Sequence, residues 1–486
     1  MARDDRRSPA QRAIEDQQAA ESPAATELER LVDWLDRRTG VADSLRVVLH
    51  KVFPDHWSFL LGELALFCFV VLLATGTFLA FFFVPDARKE AYAGPYGPLQ
   101  GEQISSAFAS VMRLSFEVRA GLLFRQAHHW AALMFVAAIA VHLARVFFTA
   151  AFRKPRELNW LIGVGLLLLA LFEGLSGYSL PDDLLSGTGI RIFYSVLASI
   201  PFLGPWLANL LFAGTFPTTD IIPRLFVLHI LFVPALLIVL ISIHIGLVFL
   251  QQHSQFKRGA AREDNAVGLP FWPQQAFRSI GLMILTAAVV GLFGGILQIN
   301  PVWIYGPYDP FVATAPAQPD WYLIWLEGLL RLGPSFEPTL LGVTIPELFL
   351  PGIVVPLIVI VLMLVWPWID ARITGDRQGH NLLDWWWERP FRTATGAAVI
   401  AAFGVVTVAG SNDVLAAALA VPVERITVAL LCALLVLPVA TWVIVLFGAR
   451  QRRRRPAREV SGVATSRPSA AMLRRNAEGG FDEVEP

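Results

Sequence analysis

The stretch RQAHHWAALMFVAAIAVHLAR, residues 125–145, decides how this chain is read. Two histidines, His128 and His142, stand 14 residues apart in it across an apolar run. A second segment repeats the pattern, with His229 and His244 15 residues apart. An α-helix rises about 1.5 Å per residue, so each pair spans roughly 21–23 Å of helix axis. At about 100° per residue, 14 steps bring His142 to within about 40° of the direction of His128, and 15 steps leave His244 within about 60° of His229. Two such helices side by side set one histidine opposite another at two depths. That is the geometry for two stacked bis-histidine haems inside a membrane. His129 points about 140° from His142 on the same reckoning, so His128 is the preferred ligand of the doublet.

The composition places this pattern in a bilayer. The 486 residues are 55% hydrophobic and only 16% charged, with mean hydropathy +0.56. Apolar runs long enough to cross a hydrocarbon core of about 30 Å recur at Ser58–Phe83, Gln126–Phe148, Leu158–Leu180, Arg224–Leu250, Ser279–Gln298, Leu348–Ile369, Thr393–Ala409 and Arg425–Phe447. An all-α polytopic protein with eight spans follows. Basic residues cluster on one side of the alternating spans: Arg37, Arg38, Arg46 and Lys51; Arg153, Lys154 and Arg156; Lys257, Arg258 and Arg262; Arg372, Arg377, Arg389 and Arg392; and Arg452 through Arg455. That side is cytoplasmic by the positive-inside rule, which puts both termini there and the chain in the plasma (inner) membrane. Arg88 and Lys89 are the exceptions on the opposite side. The first 50 residues lack an apolar h-region, so no cleavable signal peptide is expected. Zero net charge points to no nucleic acid, and two cysteines, Cys68 and Cys432, make no disulfide framework or thiolate metal site.

Lone histidines in membrane helices often bond a neighbour and do nothing else. Four in matched pairs are harder to explain that way, because ionisable groups at that depth are costly. Arg125 and Arg145 lie three residues beyond each histidine of the first pair, one towards each surface. Either could pair with an anionic haem propionate, or snorkel to the interface. Gly62 and Gly76 are 14 apart, as are Gly163 and Gly177. Glycine admits a flat macrocycle close to the backbone, and it also serves ordinary helix packing. The shared interval favours a four-helix bundle of spans one to four around two haems. His50, His56, His253 and His380 fall near or outside span ends and read as interfacial.

The organisation expected is a cytoplasmic N-terminal segment (1–57) with an interfacial helix drawn from Leu28 to Leu49, the dihaem core (58–255), a C-terminal four-helix part (256–450) and a basic flexible tail (451–486). The outer loops 181–223 and 300–347 are long and rich in Pro, Gly and aromatic residues, which argues for order and function.

Several motifs now carry a resemblance: Arg125-x-x-His128, His142-x-x-Arg145, Gly177-Tyr178-Ser179-Leu180-Pro181, Arg224 five before His229, and Pro319-Asp320-Trp321-Tyr322. The chain resembles cytochrome b, the membrane core of quinol–cytochrome c oxidoreductases, over roughly residues 40–450. The 15-residue interval and the stretch SLPDDLLSGTG (179–189) look like the high-GC Gram-positive type, for which menaquinol is the expected substrate. The resemblance implies an outer low-potential haem b on His128 and His229 and an inner high-potential one on His142 and His244. It implies quinol oxidation between the end of span three and the PDWY loop, with Tyr178, Pro181, Pro319 and Trp321 in the site. Asp320 is the candidate base there, and Tyr322 the residue that orients the quinone. One electron goes to a Rieske iron–sulfur protein and the other to an inner quinone site, with protons released outside. A cytochrome c-type subunit, a dimeric complex and a terminal oxidase in a supercomplex are the further partners implied.

Three departures from the commonest pattern stand out. Asp320 is one methylene shorter than the usual Glu. Asp182 and Asp183 follow Pro181, as an acidic exit route or as solvated loop charges. At the inner quinone site, Phe249, Arg278 and Ser279 replace the His and Lys-Asp of mitochondrial members, leaving His253, Arg278 and Gln255 as candidates. Two other classes share part of the pattern. A dihaem anchor of another quinone-linked dehydrogenase would have fewer spans and no PDWY loop, and a transporter with histidine relays would have broken or repeated helices.

Overall fold

The computed structural model describes residues 34, 36–39, 49, 51–312, 318–340 and 342–454, with the backbone of 471–475 and 481–484. Most of the interfacial helix expected between Leu28 and Leu49 lies outside the described residues. Eight helices among them are long and apolar enough to cross a membrane: Trp57–Ala80, Gly121–Phe148, Glu157–Tyr178, Ile221–Gln251, Phe271–Ile296, Leu350–Thr374, Pro390–Ala409 and Val423–Arg454. All eight expected spans are present. Local chemistry sets several ends: Pro390 opens span seven at the position where a missing N–H is harmless, and Gly375, with φ +71°, terminates span six in the left-handed region.

Spans one to four form the expected bundle. At mid-depth Ala65, Cys68, Phe69, Phe135, Ala138, Ala170, Val233 and Leu237 make one buried cluster, with Phe69 stacked on Phe135 at 5.7 Å. The cluster fills the level between the two histidine pairs. Span five packs on span two so closely that a Cβ at Gly294 would lie 2.8 Å from the Ala127 nitrogen.

The long outer loops fold into short helices: α1 (Leu184–Ala198), α2 (Gly204–Phe212) and α3 (Ile324–Leu332). Asp183 starts α1 through a capping box, accepting from Leu185 N at 3.1 Å and Ser186 Oγ at 2.7 Å. Leu184 N bonds Gly306 O at 2.9 Å and Tyr308 N bonds Asp182 O at 3.0 Å, so the two loops are tied to each other. Helix α3 lies on span seven at backbone contact, where a Cβ at Gly328 would meet Val406 O at 1.8 Å.

At the opposite, inner end, strand β1 (Val52–Phe53) pairs antiparallel with β2 (Asn265–Pro270). Strand β3 (Ala471–Arg475) pairs with β2, and β4 (Phe481–Val484) with β3. The last span continues through Arg454, past the expected tail boundary at residue 451; of the tail beyond it only the strands 471–475 and 481–484 are among the described residues.

Gly328→Ala forces α3 off span seven, an overpacking that costs about 1–3 kcal/mol. Gly404→Ala, at a helical position with no atom within 4 Å, should change little. Thermal unfolding of the purified protein should show a lowered midpoint for the first and not for the second.

Candidate functional site: two histidine layers beneath an acidic outer loop

The bundle brings the four histidines together in facing pairs. The ring centres of His128 and His229 are 6.2 Å apart, and those of His142 and His244 are 6.4 Å apart. An iron with imidazole nitrogens roughly 2 Å away on opposite sides, each nitrogen about 1.1 Å from its ring centre, sets ring centres about 6.2 Å apart. The rings are thus spaced for a metal between them, too far apart to bond each other.

Uniform helix geometry alone did not predict two equally good pairs from intervals of 14 and 15. Span four contains a wide π-turn at Leu228–Phe232, where Val233 N–H bonds Leu228 O. Pro234 explains it: proline has no N–H to donate, and its ring crowds the carbonyl four residues back. The extra residue is absorbed in that turn, so 15 residues do in span four what 14 do in span two.

Each glycine of the two intervals backs one histidine. A Cβ at Gly62 would lie 3.2 Å from the His142 ring, at Gly76 3.0 Å from His128, at Gly163 3.5 Å from His244, and at Gly177 2.3 Å from His229. In the outer pair Nδ1 is also engaged. Thr75 Oγ1 lies 2.9 Å from His128 Nδ1 while donating to Val71 O, so the imidazole is the donor. His229 Nδ1 faces Glu173 O at 3.2 Å, Ser176 Oγ at 3.3 Å and Glu173 Oε1 at 3.1 Å. Both rings therefore keep the proton on Nδ1 and the lone pair of Nε2 for a metal. At the inner level Nδ1 of His142 has no partner among the described residues, and His244 has only the backbone of Asn159.

The arginines divide. Arg145 is half-buried, its Nε and Nη2 enclosed and without a partner among the described residues, its guanidinium 4.3 Å over Phe59, and it fits an anionic group placed beside the inner pair. Arg125 gives both terminal nitrogens to Asn300 O at 3.1 Å, which anchors the outer loop; only its buried Nε is unpartnered.

Above the outer pair, Asp320 meets an unexpected partner. His129 Nε2 lies 2.9 Å from each Asp320 carboxylate oxygen, and the two side chains are only 14% and 12% exposed. The doublet therefore splits its work: His128 faces into the bundle, His129 faces the loop. Asp320 O accepts from Leu323 N and Ile324 N and so starts α3. Tyr322 is buried with Tyr178, Leu185 and Val136, its ring against Gly174. Burial, then the neighbouring Asp320 charge, holds its hydroxyl far above the ordinary phenol range, so it stays a proton donor. Asp183, Asp320, Tyr322 and Tyr305 all lie within electrostatic reach of Tyr178, whose hydroxyl has no partner. Trp321 is partly exposed beside them, with Pro319 and Pro181 half-buried. Asp183 is wholly buried in its capping role, and burial raises both it and Asp182 to about 6. Neither is a solvated loop charge.

The inner candidates are separated. His253 packs against Phe53 at 4.5 Å, its Nδ1 buried and unpartnered; burial, then Lys51, Arg145 and Arg156, depresses it to about 3. Arg278 pairs with Asp55 at 2.7 Å and is half exposed. Gln255 is committed to the loop, bonding Asn265 O at 2.7 Å and Arg262 O at 3.0 Å. Ser279 and Gln275 instead hold Glu63 at 2.6 and 2.9 Å.

Known proteins resemble this arrangement. A family profile described as "Cytochrome b(N-terminal)/b6/petB" matches residues 133–307. The cytochrome bc1 complex cytochrome b subunit of Mycobacterium tuberculosis (strain ATCC 25618 / H37Rv) is 50% identical over 390 residues, covering 80% of this chain and 71% of its own. The subunits of the same name from Streptomyces coelicolor and Corynebacterium efficiens are each 42% identical, covering 85% and 78% of this chain and 76% and 70% of their own. This chain belongs to the family of cytochrome b subunits of quinol–cytochrome c oxidoreductases. The high-GC Gram-positive relatives are those the motif pattern suggested. A chain of a structure titled "Hyperthermophilic respiratory Complex III" superposes with TM-score 0.61 at 22% identity, over 86% of this chain and 99% of that one, and shows a shared fold.

A cytochrome b binds b haem, and the residues present fit the group: two metal-wide gaps between imidazoles, glycine faces beside each ring, and the half-buried guanidinium of Arg145. His129, Glu173, Thr75, Ser176 and Tyr305 were missed in the sequence. One signal was there for two of them. A hydroxyl residue precedes each outer-level glycine (Thr75-Gly76, Ser176-Gly177), whereas leucine or isoleucine precedes the inner ones (Leu61-Gly62, Ile162-Gly163).

The glycine distances order a mutational series. Gly177→Ala should displace His229 and lower the outer-haem band in a reduced-minus-oxidised spectrum. Gly76→Ala should have a smaller effect, and Gly163→Ala should leave the spectrum near wild type. An equal loss for all three would mean that the glycines serve helix packing alone.

Proposed function

We propose that this cytochrome b binds two b haems, outer on His128 and His229 and inner on His142 and His244, and oxidises menaquinol at the outer end of the bundle. The observation that carries the outer assignment is the His129–Asp320 contact at 2.9 Å, a carboxylate fixed at the rim of the outer histidine layer. Asp320 is one methylene short of the family's usual Glu, and a free aspartate there could swing away from a bound ring. The imidazole N–H of His129, donating to the carboxylate, and the backbone carbonyl of Asp320, committed to α3, remove that freedom. Asp320 then accepts a proton from the quinol hydroxyl. Tyr322, held neutral, and Tyr178, whose hydroxyl is unpartnered, are donors that orient the ring oxygen, while Pro181, Pro319 and the face of Trp321 wall the site. His129 acts through Asp320 and is a positioning residue.

When bound, the haems supply one-electron carriage between the two membrane faces. The account needs a Rieske iron–sulfur protein as the other electron acceptor, a cytochrome c-type subunit beyond it, and a quinone site at the inner end. His253 and Arg278 are the polar groups offered there, on either side of the Phe53–Asp55 segment, and Arg145 is offered to an inner-haem propionate. A dimeric complex in the plasma membrane, coupled to a terminal oxidase and releasing quinol protons outside, is the assembly that fits, with the basic loops and both termini cytoplasmic.

In the purified complex, Asp320→Asn should lower menaquinol turnover about 10²–10⁴-fold, the usual reach of a general base, with the haem spectrum unchanged. His129→Phe should lower kcat more than it raises KM, and His129→Gln, which can still donate to the carboxylate, should recover part of the loss. Full turnover in Asp320→Asn would remove it as the acceptor. An His129→Phe enzyme with wild-type kcat would remove the positioning role.

A further inference from the structure

At the inner end, away from both histidine layers, a cavity of 470 Å³ opens between the loop joining spans two and three and the foot of span six. Its wall carries the cations Arg153, Lys154, Arg372 and Arg377 against the carboxylates Glu157, Asp370 and Asp376. Two of those carboxylates are already neutralised. Asp370 pairs with Arg392 at 3.2 Å, and Asp376 with Arg389 and His380 at 3.0 Å each. Arg153 is likewise engaged, with Asp384 at 3.2 Å. Lys154, Arg372 and Arg377 have no carboxylate at ion-pair distance among the described residues, and Glu157 is the only uncompensated acid on the wall. The free charge of the cavity is therefore positive.

The cavity also lies at the level of the membrane surface. Span six ends at Thr374, so Arg372 and Arg377 bracket the point where the helix leaves the hydrocarbon. Trp368, 51% exposed, lies one turn before Arg372 on the same helix face, with Pro367 beside it on the cavity wall. Tryptophan at that depth sits at the headgroup level, with its ring towards the acyl chains. A polar, cationic floor beside an apolar, exposed rim fits a molecule with a phosphate at one end and hydrocarbon at the other. Basic pockets between helix ends on this side of a membrane recognise such headgroups.

We propose that this cavity binds the headgroup of an anionic phospholipid from the adjoining leaflet, its phosphate held by Lys154, Arg372 and Arg377 and its glycerol end against Trp368. The phosphate oxygens accept from the two guanidinium forks and the ammonium, and Arg153, fixed by Asp384, keeps the floor in place. The assignment is independent of the quinol site.

The test uses the whole complex, purified in detergent, delipidated, and titrated with phosphatidylglycerol, with phosphatidylcholine and with inorganic phosphate, bound lipid being read by native mass spectrometry. Phosphatidylglycerol should occupy a tight site that phosphatidylcholine does not. The triple variant K154Q/R372Q/R377Q should bind it about a hundredfold more weakly, at roughly fivefold per basic residue near the surface. The charge-conserving K154R/R372K/R377K should stay within a few-fold of wild type. Unchanged retention in the glutamine variant, equal binding of the zwitterionic lipid, or displacement by inorganic phosphate at matching concentration would each overturn the proposal, the last by making this a free-phosphate site. Unaltered haem spectra show that the variants are assembled. Should the triple variant not assemble, R377Q alone, on the loop beyond the span, should lose about fivefold, and no loss there overturns the proposal equally.

Discussion

The rest of the bundle depends on the gap between facing imidazoles. A polar ring set among hydrocarbon side chains without a partner costs on the order of 1–3 kcal/mol, and here four half-buried imidazoles stand at two depths. Helix packing would ordinarily close on such a gap or turn the rings aside. Here Gly62, Gly76, Gly163 and Gly177 stand against the rings, and the Phe69–Phe135 cluster packs the level between them. The two levels are not alike. The outer rings are tethered through Nδ1 by Thr75, Ser176 and Glu173, whereas at the inner level His244 has only the Asn159 backbone and His142 has no such tether among the described residues. Hydrogen bonding to Nδ1 raises the basicity of the other ring nitrogen and fixes the ring plane, so the chain treats its two histidine pairs differently.

The outer end shows how a helical frame positions a loop. Arg125 and Gln126, at the start of span two, bond the backbone of Asn300 and Ile299, which fastens the second outer loop to the same helix that carries His128. His129 then reaches Asp320 from that helix. The loop between them is held at α3 by backbone contact with span seven. His128 of the outer pair and His129, which holds Asp320, are thus mounted on one rigid element, the condition for reproducible distances between the two groups.

Much of this was legible in the residues because helices are periodic. The interval of 14, the four glycines and the apolar runs translate directly into depth and facing direction, and the basic loops into sides. What was not legible arises from contacts distant in sequence or from local departures from regular geometry. His129 read as the wrong half of a doublet because its partner lies 191 residues away. The interval of 15 read as a looser pairing because uniform helix geometry ignores what Pro234 does to the turn before it. Arg125 also bonds Asn300, a contact that depends on a loop whose path no local pattern specifies. Short strands such as 471–475, without an apolar alternation, announce themselves only through the strand they join.

The central claim is that the two facing pairs are two metal positions with different surroundings. Potentiometric titration of the isolated complex, with haem quantified per chain, tests it most directly. The account predicts two b-type haems per cytochrome b and two resolved midpoint potentials. A single haem, or a single potential shared by both, would contradict it.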